Sequence, residues 1–232
     1  MIKVIAFDLV GVLVSEKDIN LNETEDKLER LFGPNISDED YLNKGSKYEM
    51  DKIKLINLTK EIINKLYKVR FSNLFEDIKK INDKVKIIIA TNHVSYVKSY
   101  IKNNFDAKYL YDIIISSEIH EIKPDKGFYK YILDKYNLMP QELLFLDDNE
   151  NNILGAKSLG INTVKISKDT NILKEIRLIL EGDVKMNIRN ANIDDIKNGL
   201  LDCYIEGYNY HKNDKPDVFP NKTEEELRKI LE

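Results

Sequence analysis

Five short apolar runs set the rhythm of the first 166 residues, and helical patterns lie between them. The runs are Val4-Ile5-Ala6-Phe7, Val85-Lys86-Ile87-Ile88-Ile89-Ala90, Ile113-Ile114-Ile115, Leu143-Leu144-Phe145-Leu146 and Thr163-Val164-Lys165-Ile166. They are brief, rich in β-branched residues and lack the apolar/polar alternation of a sheet with one wet face. That suits parallel strands buried on both sides. The intervening segments at about 94–103, 126–136, 151–159 and 170–181 are long enough for right-handed crossover helices. The pattern predicts an α/β fold with a doubly wound parallel sheet.

The first crossover breaks this rhythm. Between about 15 and 80 the pattern is helical throughout, with no strand. Ser37 and Asp40 have the spacing of a capping box, and Ile53, Ile56, Leu58, Ile62, Ile63 and Leu66 form a helical apolar stripe. An insertion at this point predicts a small helical cap over the carboxyl ends of the strands, where open α/β sheets bind ligands. After Gly182 the pattern changes again. Lys185-Met186-Asn187-Ile188-Arg189 reads as a short strand, Asn192 as the N-cap of a helix to about Tyr208, and Thr223 as the cap of a last helix.

Composition narrows the function classes. The chain has 232 residues, 42% hydrophobic and 33% charged, with a formal net charge of -4. Its charges are interspersed, so no stripe calls for nucleic acid or an anionic membrane. The single cysteine, Cys203, excludes a disulfide framework within the chain and reads as a small buried hydrophobe. The run from Val4 to Val14 is interrupted by Asp8 and followed by no small-residue cleavage site, so it does not read as a signal peptide. No apolar stretch approaches the roughly 20 residues of a membrane span. A cytoplasmic protein is expected; oligomeric state is not legible.

Candidate chemistry collects where the strands end. Asp8 follows the first run directly; isolated charge is costly to desolvate, so it reads as a nucleophile or metal ligand, or else as a cap of the next loop. Thr91-Asn92 offers a hydroxyl and an amide to an oxyanion, or a plain turn. Lys123-Pro124-Asp125 places an ammonium just before a helix that proline is suited to begin. Asp147-Asp148-Asn149 pairs two carboxylates, as a hard-cation site requires. Each signal is weak alone. As a set they supply what phosphoryl transfer to a carboxylate needs: a nucleophile, a cation to screen it, and donors for the phosphoryl oxygens. His93 and His120 fit loop positions near these motifs, and the three histidines of the chain show no metal-cluster spacing.

Over about residues 1–182 the chain resembles the haloacid dehalogenase superfamily. Asp8-Leu9-Val10-Gly11-Val12 matches its first motif, Thr91 the second and Lys123-Pro124, with Tyr129 or Tyr131 downstream, the third. Asp147-Asp148-Asn149 and the stretch Asn152 to Gly160 match the fourth, and are similar to the branch with sugar-1-phosphate phosphatases and epoxide-hydrolase-like N-terminal domains. The resemblance implies a Rossmann-like fold with a helical cap at about 15–80, Mg²⁺, and a small phosphorylated metabolite as substrate. It implies that Asp8 attacks phosphorus and ligates the metal, with Asp148, Asp147 beside it and the carbonyl of Val10 as further ligands. Thr91 and Lys123 would hold the transferring group, with Asn92 and Gly11 lining its site.

Val10 departs from the motif. Most phosphatases of that superfamily carry there a second aspartate, which protonates the leaving group and later activates water. Its loss costs about 10² to 10⁴ in rate. Three outcomes are open: a slow phosphatase favouring good leaving groups, a silent domain that binds a phosphate ligand or partner, or, least favoured given the acidic pair, a metal-free dehalogenase. Residues 186–232 resemble the opening of a Gcn5-related N-acetyltransferase, from Ile188-Arg189-Asn190 to Lys215-Pro216-Asp217-Val218-Phe219. The glycine-rich loop that binds the acetyl-CoA pyrophosphate in that family has no match, so this segment, whether a truncated domain or a structural tail, is expected to perform no acetyl transfer.

Overall fold

The computed structural model describes residues 1–33, 37–48 and 50–182. The chain divides into two units at Val184–Lys185, and the acetyltransferase-like segment at 186–232, Cys203 and His211 lie outside the described residues.

Five parallel strands form the sheet: β1 (Val4–Phe7), β4 (Lys86–Thr91), β5 (Leu110–Ile115), β6 (Leu143–Asp147) and β7 (Asn162–Lys165), in the order β5-β4-β1-β6-β7. The remaining elements are β2 (Val14–Glu16), α1 (Glu23–Glu29), α2 (Asp38–Gly45), α3 (Lys52–Leu66), β3 (Tyr67–Val69), α4 (Leu74–Ile81), α5 (Lys98–Asn104), α6 (Ser116–Ile119), α7 (Lys126–Tyr136), α8 (Glu150–Lys157) and α9 (Ile172–Gly182). Successive strand side chains point to opposite faces, and here both faces are covered. Ile5, Phe7, Ile87, Ile89, Leu144 and Leu146 belong to one core, and Val4, Ala6, Ile88, Ala90, Leu143 and Phe145 to the other, under α7 and α8. This is why the strands read as continuous apolar runs. The chain winds from β1 toward β5, then returns to lay β6 on the other side of β1. The strand order therefore reverses between β1 and β6, the switch point at which such sheets bind ligands.

The insertion after β1 differs from its sequence reading in three respects. Two strands lie within it: β2 pairs antiparallel with β3, forming a short ribbon at the base of the cap. The helix α4, expected within the cap, packs on the sheet instead; Phe75 meets Phe7 with ring centroids 5.6 Å apart, and α4 lies against α9. It is the true crossover helix from β1 to β4. The buried stripe of α3 is Leu55, Thr59, Ile62, Ile63 and Leu66, whereas Ile53 is 72% exposed. A threonine joins the stripe because its hydroxyl is satisfied, by Leu55 O at 2.7 Å and Tyr41 OH at 2.6 Å.

Local signals start the cap helices. Asn22 and Ser37 each form a capping box, with Glu25 and Asp40 respectively, and Asp51 caps α3. Cap and sheet share one core: Leu28, Phe32, Tyr41, Leu55, Ile62 and Ile63 belong to the same cluster as Ile5 and Phe7. Asp38 also accepts a hydrogen bond from the Ser95 amide at 2.8 Å, tying α2 to the segment that opens α5. Among the described residues no helix is long and apolar enough to cross a membrane.

Candidate active site

Asp8 is the first residue beyond β1, and its amide extends the ladder by donating to Leu146 O at 2.9 Å. Asp147 is the last residue of the neighbouring β6. The register that pairs Phe7 with Leu146 therefore brings the two carboxylates to the same sheet edge. Thr91, the last residue of β4 on the other side of β1, is buried there as well.

Lys123 joins them from further off. It lies 123 − 115 = 8 residues past the end of β5, beyond the single turn of α6, and so is not at a strand end as its motif order suggested. Its ammonium, in a side chain only 1% exposed, donates to Asp8 Oδ1 at 2.7 Å and to Asp147 Oδ2 at 2.8 Å. Its backbone is clamped by Asn92, whose Oδ1 accepts from Lys123 N and whose Nδ2 donates to Lys123 O, both at 2.9 Å. Asn92, expected to touch substrate, thus commits both ends of its amide to holding the loop that carries Lys123.

Neighbouring Asp147 and Asp148 have different surroundings. Asp147 is fully buried and saturated: besides Lys123 it accepts from Asn149 N at 2.8 Å and from Asn152 Nδ2 at 3.0 Å. Asp148 is exposed and lies over Gly11. Gly11 has φ +86°, and a Cβ there would come within 2.1 Å of Asp148 Oδ2, so this position demands glycine on both counts. One ligand atom from each of Asp8, Asp147 and Asp148 lies within 4.8 Å of the others. Three carboxylates face one ammonium, and all their donors are hard oxygens. That composition fits a divalent cation of the Mg²⁺ type.

The charge states follow from this packing. Burial raises the Asp8 carboxyl to about 6, against the pull of Lys123, with Asp147 adding to the rise. Burial alone would lower the Lys123 ammonium, but Asp8 and Asp147 outweigh it and hold the group above its ordinary range. Asp148 is raised by burial and then by Asp147. The cluster is short of positive charge.

Val10 is half-buried, and its backbone bridges to Val14 in the tight turn that Gly11 N closes onto Val14 O at 2.8 Å. Arg70, directly after β3, was not singled out from the sequence. Its Nη1 donates to Gly11 O, and to Val12 O at 3.2 Å, while its amide donates to Leu13 O at 2.9 Å. It therefore fastens the loop after Asp8 to the return strand of the cap. Arginine is uncommon here, 5 of 36 Lys+Arg, and that scarcity is the sequence signal for a site needing a planar fork.

His93 is no part of the site. It is buried between Phe32 and Tyr67, its ring centroids 5.1 and 6.0 Å from theirs. Val94 O, 3.0 Å from Nδ1, can only accept, so Nδ1 carries the proton and Nε2 accepts from Tyr67 OH at 2.9 Å. Burial lowers this imidazole to about 4. The unfolded chain, titrating near 6.5, takes up the proton first as pH falls. Stability is therefore complete above about 6.5 and is lost toward 4, by about 2 kcal/mol at pH 5. Urea denaturation at pH 7.5 and 5.0 is expected to show that loss in the wild type and not in His93→Gln. His120 caps α6 in a left-handed conformation, φ 56°. Tyr129, buried, donates to Asn152 O at 2.7 Å and so props the helix behind Asp147.

Comparisons with known proteins identify the family and the fold. The profile of the haloacid dehalogenase-like hydrolases matches residues 5–166. The mouse acyl-CoA dehydrogenase family member 10 is 32% identical over 82 residues, 35% of this chain but only 8% of that protein. A phosphoglycolate phosphatase of Vibrio parahaemolyticus is 23% identical, the match spanning 68% of this chain and 81% of the relative. A haloacid dehalogenase family enzyme of Bacteroides thetaiotaomicron, solved in complex with magnesium and inorganic phosphate, superposes with a TM-score of 0.56 at 18% identity, covering 74% of this chain and 97% of that one. The chain belongs to the haloacid dehalogenase-like hydrolase family.

Proposed function

We propose that this chain is a Mg²⁺-dependent phosphatase of small phosphomonoesters, a sugar phosphate among the candidates, acting in the cytoplasm through a phospho-Asp8 intermediate. The observation that carries this reading is the meeting of Asp8, Lys123, Asp147 and Asp148 at one sheet edge.

Asp8 and Asp148 would hold the cation, with the Val10 carbonyl, and the saturated Asp147 would act chiefly by fixing Lys123. Bound there, the cation screens the negative charges that nucleophile and phosphate present to each other. The free Asp8 oxygen attacks phosphorus while the bond to the ester oxygen breaks. Lys123 and the Thr91 hydroxyl neutralise the equatorial oxygens as their charge shifts. Water then attacks the phosphoaspartate, releasing inorganic phosphate and restoring Asp8. The departing oxygen must take its proton from solvent, because Val10 has none to give.

A phosphate-ester panel assayed with and without Mg²⁺ tests the reading; absence of turnover on every ester would favour the silent, ligand-binding alternative that Val10 also permits. Val10→Asp restores an acid-base group beside the leaving oxygen. It is expected to raise kcat on alkyl phosphates by roughly 10- to 100-fold, with a smaller gain on aryl phosphates, whose leaving groups need little help. An equal gain on both classes would remove leaving-group protonation as the explanation.

A further inference from the structure

In a capped α/β hydrolase the space between cap and sheet is the obvious place for a substrate's leaving group, yet here its centre is filled. The cavity of about 330 Å³ left at its rim, between Ser37 and Asp40 of the cap and the segment His120 to Asp125, is lined by none of Asp8, Asp147 and Asp148. Phe32 and Tyr41 from the cap, with Tyr67 from β3, pack against His93 and Tyr96 with ring centroids 5.1 to 6.1 Å apart. Phe32, Tyr41, Tyr67 and His93 are all buried, and the Asp38–Ser95 bond pins the rim. Open space adjoins the carboxylates elsewhere. A cavity of about 540 Å³ is lined by Val10, Gly11, Arg70 and Asp148, by Ser15 and Glu16 of β2, and by the loop after β7 that carries Lys168. Val10 faces it, so it begins where the leaving oxygen emerges.

Two cations stand in its wall. Arg70 gives Nη1 to the backbone carbonyls of Gly11 and Val12, and its charge acts on Asp148; among the described residues its Nε and Nη2 make no hydrogen bond or salt bridge. Lys168 is exposed and forms no ion pair among the described residues. Its loop is anchored where Ile166 N donates to Asp147 O at 2.9 Å, and by the Ser167–Thr170 turn. Glu16 and Asp148 are the opposing charges in the wall, Asp148 being the one proposed to be taken up by the cation, and among the described residues neither forms a salt bridge to Arg70 or Lys168. A guanidinium edge that makes no hydrogen bond among the described residues, with an exposed ammonium in the same wall, matches a planar oxyanion held by two parallel hydrogen bonds.

We propose that this cavity is the leaving-group subsite, and that Arg70 and Lys168 select phosphomonoesters bearing a carboxylate on the leaving group. The proposal rests on the phosphatase reading and names its substrate class.

Binding separates the two ideas without turnover. Calorimetry in Mg²⁺ would compare 3-phosphonopropionate with propylphosphonate, which differ in the terminal carboxylate, using inorganic phosphate as the probe of the transfer site. The wild type is expected to bind the carboxylate ligand about tenfold or more tighter. Lys168→Ala should reduce that preference to about threefold or less without changing the affinity for propylphosphonate, and Lys168→Arg should retain it. Equal binding of the two phosphonates by the wild type, with inorganic phosphate still bound, overturns the subsite and leaves the phosphatase reading standing. A preference untouched by Lys168→Ala overturns the assignment to this cavity. Failure to bind phosphate or either phosphonate overturns both.

Discussion

Asp8→Asn is expected to lower phosphatase turnover by roughly 10⁴-fold, the scale of losing a covalent nucleophile, while leaving the metal-free protein as stable as before or more so. The two halves of that expectation share one cause. Asp8 sits in a place that resists its charge: burial raises its carboxyl to about 6 although Lys123 is 2.7 Å away. A folded-state value above the ordinary 3.8 means that the ionised carboxylate is a net burden on the metal-free fold at pH 7.5. Asparagine keeps the shape and an acceptor for Lys123 while removing that burden. The geometry of the proposed nucleophile is thus maintained against a stability cost, as reactive groups in sites often are. Thermal melts without Mg²⁺ and turnover with it check the pair. Loss of activity together with a large fall in Tm would mean that Asp8 is a structural partner of Lys123 rather than a nucleophile; unchanged turnover would end the mechanism altogether.

How far the sequence foretells this site depends on whether each signal is local. Asp8 and the Asp147–Asp148 pair are legible because β1 and β6 are buried on both faces, which makes their apolar runs continuous and the charge that ends them conspicuous. The register of adjacent parallel strands then converts chain position into proximity. Lys123 is legible as a residue but not as a place: it reaches the carboxylates from a loop fixed by two bonds to Asn92 across 31 residues, and no periodicity encodes that. Asn92 was assigned to substrate for the same reason, since its position at the end of β4 is visible and its partner is not. The ribbon β2–β3 escaped because each strand has three residues and only one of them buried, too short for alternation to register. The boundary between α3 and α4 is invisible in composition; only the packing of Phe75 on Phe7 assigns α4 to the sheet. Arg70 is the extreme case. Its meaning lies in bonds to residues 58 and 59 positions earlier, made only once the cap has closed its loop.

Lys123→Met is expected to be the most damaging single change to stability, by about 3 to 5 kcal/mol at pH 7.5, or a fall in Tm of roughly 10 °C. Methionine matches the length of the lysine stem, so packing against Phe145, whose ring lies 5.4 Å from the ammonium, is largely kept. The loss is electrostatic. Asp8 and Asp147 are left facing each other, Asp147 fully buried and Asp8 nearly so, with no cation between them. Asp147 keeps its bonds from Asn149 and Asn152; Asp8 loses its only side-chain donor among the described residues. The damage is therefore expected to recede with acid. Asp8 already takes a proton well above its ordinary value, and without Lys123 it does so at still higher pH. The folded variant then binds that proton before the unfolded chain does, and its stability rises as pH falls from above 6 toward 3.8. Mg²⁺ is expected to recover part of the loss at pH 7.5 by binding only the folded state. In the double variant with Asp147→Asn, the cost should fall below that of Lys123→Met alone, because the two changes meet in one charge network. Additive losses in that cycle, or a variant equally unstable at pH 7.5 and 5.0, would show that Lys123 acts through its carbon stem and not its charge.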